Sequence, residues 1–172
     1  MLHRLMRLYF TVLPLRFEQI YFRLLYRLLP RKRLNITTVS LKSNQWCWIG
    51  PEFGDQCLLA DNNVRFLNLE ANISDVRSWN DTSFDKLWLY NLHYFDDLNS
   101  ADSLSRLSIQ LPLVKRRIYD NPPVLGNGWE PYPLSLRLIN WIKWYKRAGI
   151  DDQSILNSIL QQAEALSNQL EY

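Results

Sequence analysis

The segment RFEQIYFRLLYRLL, residues 16–29, has a regular spacing of apolar positions. Its apolar residues recur three, four or seven positions apart, which places them on one face of a helix. These residues are Phe17, Ile20, Leu24 and Leu28. Arginines recur on another face, at Arg16, Arg23 and Arg27. The pattern predicts a basic amphipathic helix.

Residues 34–75 follow a different pattern, in which β-branched and polar residues are mixed with Gly, Pro and Asn. This mixture favours short strands and turns over long helices. Helical spacing returns in the second half of the chain. We expect those helices over residues 83–99, 103–119, about 134–148 and 151–171. The predicted fold class is mainly α, with a short β and turn segment near residues 36–75.

The predicted helix over 134–148 has clear boundary signals. Pro131 and Pro133 restrict the backbone before it. Gly149 ends it, because glycine readily adopts the conformation that stops a helix. Asp151 is then placed to cap the following helix. The last two helices are therefore expected to be consecutive.

The chain is rich in aromatic residues, with seven Trp and nine Tyr among 172 residues. This length corresponds to about one domain, and 47% hydrophobic content is enough for a substantial core. Aromatic rings suit either a wide core or a surface that stacks on a flat ligand such as a sugar ring. Composition alone leaves both alternatives open.

Charge divides the sequence into two regions. Residues 1–33 contain eight Lys or Arg and one acid, a net charge of +7, whereas residues 34–172 contain 12 basic and 16 acidic residues, or −4. The basic helix is interpreted either as a weak contact with an anionic membrane surface or as a helix packed on its own protein with solvated arginines. No nucleic-acid partner is expected, because the basic region lacks a known reader motif.

The N-terminus lacks the features of a targeting segment. Its longest uncharged run, LYFTVLPL, has eight residues and contains Pro14. About 20 apolar residues are needed to span a bilayer, and no small-residue cleavage site follows. We therefore expect neither a signal peptide nor a membrane span, which favours a cytoplasmic location.

Cys47 and Cys57 lie ten positions apart along the chain. A hairpin through PEFGD would allow a disulfide, whereas a reduced compartment would leave both thiols unpaired. No metal site is predicted, because the two histidines do not stand at ligand spacing with a cysteine. No cofactor is predicted either.

The segment KLWLYNLHYFDDLN contains an apolar and a polar set of residues. Trp88, Leu92 and Phe95 lie near one face of the predicted helix. Tyr90, His93 and Asp97 lie three or four positions apart on another, where their side chains can meet. Such a set can transfer protons. The alternative is a buried histidine with satisfied hydrogen bonds.

Several segments together resemble one known family. They are RFLNLE (65–70), DKLWLYNLHYFDDLN (85–99) and NPPVLGNGWEPYPLSLRLINWIKW (121–144), in that order. The chain in this respect is similar to the N-terminal domain of heparinase II/III polysaccharide lyases. The QIYFRLLYRL helix and the WIGPEF turn resemble the lead-in of that family, so the resemblance extends over nearly the whole chain.

The resemblance implies a toroid of paired helices that forms one wall of a cleft for an acidic polysaccharide. Such enzymes cleave next to a uronic acid by β-elimination. An Asn neutralises the uronate carboxylate and lowers the pKa of the C5 proton, while Tyr and His act as base and acid. Complete members continue into a β-sandwich domain, and degradative members are often periplasmic, which makes that location the alternative.

On this resemblance, the loop GNGWEPYP and the start of the next helix lie at the cleft. Trp129 can stack on a sugar, and Arg137 can bind a carboxylate or sulfate. The alternative is an ion pair between Glu130 and Arg137 that locks the loop. The predicted substrate-binding residues are Tyr90, His93, Asn127, Trp129, Glu130 and Arg137.

The sequence departs from the family pattern where it ends. The catalytic Asn, Tyr and His of the family would follow Tyr172, so no catalytic residue is assigned. We therefore expect residues 34–172 to be an incomplete toroid without the β-sandwich domain and without lyase activity of its own. A non-catalytic helical module that binds a glycan or a protein is the alternative function.

Overall fold

The computed structural model describes residues 2–28 and 46–169. The chain divides into two compact units, one formed by Met1–Arg33 with Asn168–Tyr172 and the other by Leu34–Ser167. Part of the predicted β and turn segment, residues 36–45, lies outside the described residues. The last two residues of the final predicted helix, 170–171, do so as well.

The first unit contains two short helices, α1 (Leu2–Val12) and α2 (Phe17–Leu28). The second helix confirms the prediction over residues 16–29. The first was not predicted, although its sequence LHRLMRLYFTV is strongly amphipathic. It was missed because arginines interrupt its apolar residues, so the sequence looks like a broken hydrophobic run and not like a long helix. Pro14 lies in the bend between the two helices.

The second unit begins with a hairpin of two antiparallel strands, β1 (Asn63–Phe66) and β2 (Leu69–Asn72), in which Val64 pairs with Ala71. Leu67 and Asn68 form its tight turn with φ of 52° and 62°, as a two-residue turn between twisted strands requires. Four helices follow. They are α3 (Lys86–Tyr94), α4 (Leu107–Asp120), α5 (Pro131–Arg147) and α6 (Gln153–Ser167). A mainly α fold with a short β segment is confirmed.

The predicted helix over residues 83–99 is interrupted. It ends at Tyr94, because Phe95 adopts a left-handed conformation with φ of 58°, and a separate 3₁₀ turn covers Asp96–Asn99. Asp97 therefore leaves the helical register that would place it beside Tyr90 and His93. The prediction that these three side chains meet is wrong for this reason.

The boundaries of α5 and α6 differ slightly from the prediction. Pro131 is the first residue of α5, a position whose N–H needs no partner within the helix. Gly149 follows the helix with φ of 59°, as expected. Asp152, not Asp151, caps α6, because its Oδ1 accepts hydrogen bonds from Ser154 N at 2.9 Å and Ile155 N at 3.3 Å.

The core of the second unit is built around tryptophans. In this unit α3 packs on α5, while α6 packs on both α4 and α5. The fully buried indoles are those of Trp79, Trp88, Trp141 and Trp144. Three of them donate hydrogen bonds from Nε1: Trp79 to Asp120 at 2.9 Å, Trp144 to Gln110 at 2.9 Å and Trp88 to Leu69 O at 3.4 Å. Much of the aromatic content therefore belongs to the core.

Two arginines fasten the segment before the hairpin to the helices. Arg106 Nη2 donates to both carboxylate oxygens of Asp97, at 2.9 and 2.7 Å, and to Leu58 O at 2.7 Å. Arg147 Nη2 donates to Gly50 O and Pro51 O, both at 3.3 Å. These side chains therefore hold the irregular segment against the helices, and its backbone also pairs with β1, where Arg65 N donates to Cys57 O at 2.9 Å.

Candidate anion-binding site

The loop between α4 and α5 depends on a glycine at its tightest point. Gly126 has φ of 79°, and a Cβ there would lie 2.3 Å from Asn80 Oδ1. That same oxygen accepts a hydrogen bond from Asn127 N at 2.8 Å. Asn127 is half-buried. Glycine therefore allows both the left-handed backbone and the close approach of Asn80 that fixes the loop.

The second glycine of the loop lies against His93. A Cβ on Gly128 would be 2.5 Å from His93 Nδ1. His93 Nε2 lies 2.8 Å from Trp79 O, and since a carbonyl only accepts, Nε2 carries the hydrogen. Nδ1 then holds a lone pair, which has no hydrogen-bond partner within the described ranges. Burial, and next the nearby Arg117 and Arg137, hold the pKa of His93 well below its usual value, so the ring is neutral.

The guanidinium groups of two arginines lie close to the Trp129 indole. The guanidinium of Arg117, from α4, is 5.2 Å from the ring centroid, and that of Arg137, from α5, is 5.7 Å away. Both arginines are essentially inaccessible, at 1% and 0% exposed, and Trp129 is 4% exposed. We call Arg117, Arg137, Trp129 and His93 the arginine cluster. The indole provides a favourable cation–π contact to each cation.

The hydrogen bonding of these arginines is incomplete. Arg137 Nε donates to Gln162 Oε1 at 2.8 Å, and its Nη1 donates to His93 O at 3.4 Å. Its Nη2 has no partner among residues 2–28 and 46–169, and neither have Nε and Nη2 of Arg117. Burial lowers the pKa of Arg117 to about 9, and burial together with Arg117 lowers that of Arg137. Arg117 remains charged at neutral pH.

No carboxylate in the described part of the chain forms an ion pair with either arginine. Buried cations are normally paired, because desolvation costs several kcal/mol per ion. Neutral hydrogen-bond acceptors and the indole face offset only part of this penalty. The arginine cluster is therefore a buried region of unbalanced positive charge that an anionic group would stabilise.

A more exposed group of residues adjoins the arginine cluster along the chain. Glu130 accepts a hydrogen bond from the Tyr90 hydroxyl, and Lys86 Nζ lies 2.9 Å from Glu130 Oε2. Burial alone would raise the pKa of Glu130, but the hydrogen bonds from Tyr90 and Lys86 lower it. Tyr132 is 61% exposed and its ring meets that of Tyr94 edge-on at 5.8 Å. We call Lys86, Tyr90, Glu130 and Tyr132 the tyrosine patch.

The predicted site residues thus fall into two neighbouring groups. Trp129, His93 and Arg137 belong to the arginine cluster, whereas Tyr90 and Glu130 belong to the tyrosine patch. Asn127 precedes Gly128 in the connecting loop. The alternative ion pair between Glu130 and Arg137 does not form, because Glu130 binds Lys86 and Arg137 binds Gln162.

Sequence reasoning missed Arg117 and Lys86. Arg117 lies in the run KRR at the polar end of α4, where an arginine normally faces solvent, and only its pairing with Trp129 in space identifies it. Lys86 at the start of α3 could have been suspected, since it lies four residues before Tyr90 on the same helix face.

The two cysteines are unpaired thiols, of which Cys47 is exposed. Burial, and secondly the nearby Asp97, raise the pKa of the Cys57 thiol to about 11. This thiol is therefore protonated at neutral pH and a poor nucleophile. Among the residues that the structure describes, no group of three or more His, Cys, Asp or Glu side chains is placed to hold a metal ion.

Comparison with known protein families, with curated proteins and with solved structures finds no match for this chain. A functional proposal for this chain therefore rests on the geometry of the arginine cluster and the tyrosine patch.

Proposed function

We propose that this chain binds an acidic, uronate-containing polysaccharide, as part of a heparinase II/III-like protein that acts on it by β-elimination. In this proposal α3 to α6 belong to an (α/α) toroid, and the tyrosine patch lies on the wall that faces the polysaccharide. The residues of this chain bind and orient the sugar. None of them is assigned to the elimination itself.

The observation that carries the proposal is the pair of buried guanidinium groups that have no carboxylate partner among the residues the structure describes. Arg117 and Arg137 lie 5.2 and 5.7 Å from one indole centroid. Their charges are poorly screened because little water surrounds them. Such charges raise the electrostatic potential of the neighbouring surface and attract anions to it. A neutral glycan would gain nothing from this arrangement.

The tyrosine patch supplies the contacts that an acidic sugar needs. The exposed ring of Tyr132 offers an apolar face for stacking, which Trp129 does not, because the two arginines and the loop enclose it. The Lys86 ammonium can share its charge between Glu130 and a sugar carboxylate. Glu130 can accept hydrogen bonds from sugar hydroxyls.

The two groups are linked through short stretches of chain. Glu130 directly follows Trp129, and Tyr90 precedes His93 by one turn of α3. Substrate contact at the tyrosine patch therefore occurs next to the unbalanced positive charge. This neighbourhood favours sugars with carboxylate or sulfate groups over uncharged sugars of the same shape.

Calorimetric titration of the full chain tests the proposal. The ligands are a hexasaccharide of galacturonate and the corresponding uncharged hexasaccharide of galactose. We expect only the acidic ligand to bind, with an affinity that falls as the salt concentration rises. Arg117→Gln should weaken it about tenfold, the lower range for one charge-assisted interaction, and Tyr132→Ala should weaken it through loss of stacking.

Arg65→Gln is the matched control, because Arg65 is an exposed arginine of β1. This variant should bind like the unmodified chain. Equal affinity for the two hexasaccharides would refute the proposal. An equal loss of affinity in Arg65→Gln and Arg117→Gln would also refute it, since binding would then depend on overall charge.

A further inference from the structure

The two helices of the first unit expose their apolar faces. On α2, Phe17, Tyr21, Leu24 and Leu28 are between 51% and 81% exposed. On α1 and directly after it, Met6, Tyr9, Phe10 and Leu13 are between 53% and 64% exposed. On α2 successive residues of the set are three or four positions apart, and the adjacent pair Tyr9 and Phe10 lies three or four positions from both Met6 and Leu13. Each set therefore forms one continuous stripe along its helix. Amphipathic helices of globular proteins normally bury this stripe.

Positive charge accompanies these stripes. Residues 1–33 carry a net charge of +7. Arg7 and Arg16 are exposed, and neither forms a salt bridge within the described ranges. Phe17 and Tyr21 stack on each other on the exposed side, with ring centroids 6.5 Å apart. Aromatic and leucine residues next to arginines are typical of helices that lie at a membrane surface.

Helix length determines how such a segment can meet a membrane. α1 has 11 residues and α2 has 12, whereas a spanning helix needs about 20. None of the helices in the described part of the chain is long and apolar enough to cross a bilayer. A membrane contact made by α1 and α2 would therefore be parallel to the surface, with the apolar stripes in the interface and the arginines among the headgroups.

We propose that α1 and α2 together form a docking surface for anionic lipid bilayers. Charge complementarity identifies this occupant. A second copy of the chain would bring another net charge of +7 against the same face, which opposes association. An anionic lipid surface instead attracts each basic residue and covers the apolar stripe at the same time.

Flotation of the full chain with lipid vesicles tests this proposal. The vesicles are phosphatidylcholine alone or phosphatidylcholine with about one-third phosphatidylglycerol as the anionic lipid. We expect the chain to float with the anionic vesicles and to dissociate at high salt. The double variant Phe17→Gln with Leu24→Gln should bind at least about tenfold more weakly, because two apolar side chains no longer enter the interface.

A second double variant, Arg7→Gln with Arg16→Gln, separates charge from apolar burial. It should weaken binding to anionic vesicles about 25-fold, roughly fivefold for each basic residue. The matched control is Leu87→Gln with Ile139→Gln, which changes two apolar residues of the second unit that are 55% and 50% exposed. This control should float like the unmodified chain. Circular dichroism on every variant checks that folding is retained.

Three outcomes would overturn the proposal. One is equal flotation with neutral and anionic vesicles, and another is normal flotation of the Phe17 and Leu24 double variant. The third is a dimer that floats with neither type of vesicle and that becomes a monomer in the Phe17 and Leu24 double variant. That result would mean that the exposed face of α1 and α2 binds a second copy of the chain. Galacturonate binding is measured separately on the same variants, so failure here is distinguishable from failure of the polysaccharide proposal.

Discussion

Two arginine sites of the second unit differ in their counter-charge. Arg106, whose side chain is 16% exposed, binds both carboxylate oxygens of Asp97 and also donates to Leu58 O. Arg117 and Arg137 are buried more deeply, yet they contact an indole ring and neutral acceptors. Among the residues that the structure describes, a carboxylate therefore compensates the charge at the first site and none does so at the second.

This difference separates a structural role from a binding role. A compensated guanidinium holds backbone segments together, as Arg106 does for the segment that contains Leu58. An uncompensated guanidinium destabilises its surroundings until an anion arrives. The fold tolerates Arg117 because α4 and α5 are secured elsewhere, by the tryptophan core and by the contacts of α6.

The largest effect that tests this comparison is expected at Asp97. Asp97→Ala should destabilise the fold by about 3–5 kcal/mol, because it removes a buried carboxylate and leaves the mostly buried Arg106 without its partner. Arg117→Met should cause no loss of stability, since it removes a buried charge that has no counter-ion among the described residues. Urea unfolding measures both free energies. Glu70→Gln, in the exposed pair with Arg65, is the control and should change little.

A loss of stability in Arg117→Met equal to that in Asp97→Ala would contradict the comparison. It would mean that the guanidinium of Arg117 is as well paired as that of Arg106. The substitution is informative because methionine is unbranched and uncharged, and its flexible side chain can adapt to the space beside Trp129.

A smaller effect is expected from the titration of His93. Its folded pKa lies well below 6.5, whereas the unfolded chain has a pKa of about 6.5. Between these values the unfolded state binds more protons, so stability should fall as pH falls below 6.5, by up to about 1.4 kcal/mol per pH unit. Urea unfolding at several pH values between about 7.5 and about 5 measures this slope.

His93→Gln should remove this slope, whereas His3→Gln should keep it. His3 is an exposed residue of α1 and serves as the matched control. An unchanged slope in His93→Gln would show that other groups cause the loss of stability in acid.

An effect of similar size is expected at Gly128. Gly128→Ala would place a Cβ 2.5 Å from Nδ1 of a ring that Trp79 O holds in place, which should destabilise the fold by about 1–3 kcal/mol. Thermal unfolding measures the loss. Gly149→Ala is the comparison variant, since that position is open but has φ of 59°. It should cost about 1–2 kcal/mol through backbone strain alone.

The NMR ring signals of His93 in the two variants distinguish the roles of these glycines. Gly128→Ala should also change the environment of His93, visible as a shift of its ring signals in NMR spectra. Gly149→Ala should leave those signals unchanged. Identical His93 signals in the unmodified chain and Gly128→Ala would contradict the close contact between Gly128 and the ring.

The sequence pattern predicted the segments that contain α2 to α6, because apolar periodicity and boundary residues are local signals, but it missed α1. Gly149 ended α5 as expected, and the hairpin fell within the predicted β and turn segment. The break at Phe95 was not predictable, because a left-handed conformation at a large aromatic residue depends on its tertiary surroundings. That single break moved Asp97 away from the predicted proton-transfer group.

The candidate site was predicted only in part. The loop GNGWEPYP attracted attention through its glycines and aromatic residues, and the structure does place Trp129 within about 6 Å of two arginine cations, at 5.2 and 5.7 Å. Pattern alone could not pair Trp129 with Arg117, since burial of an arginine depends on contacts between distant segments. It also could not show that the exposed ring is Tyr132 and the enclosed ring is Trp129.

The contacts of Arg147 have a consequence for the order of folding. Its hydrogen bond to Gly50 O joins residues that are 97 positions apart, so this contact closes a very long loop of chain. Long-range contacts form slowly, because the entropy of loop closure is lost before the contact forms. The segment around Gly50 should therefore join the folded helices late, after α5 and the turn at Ser103 are in place.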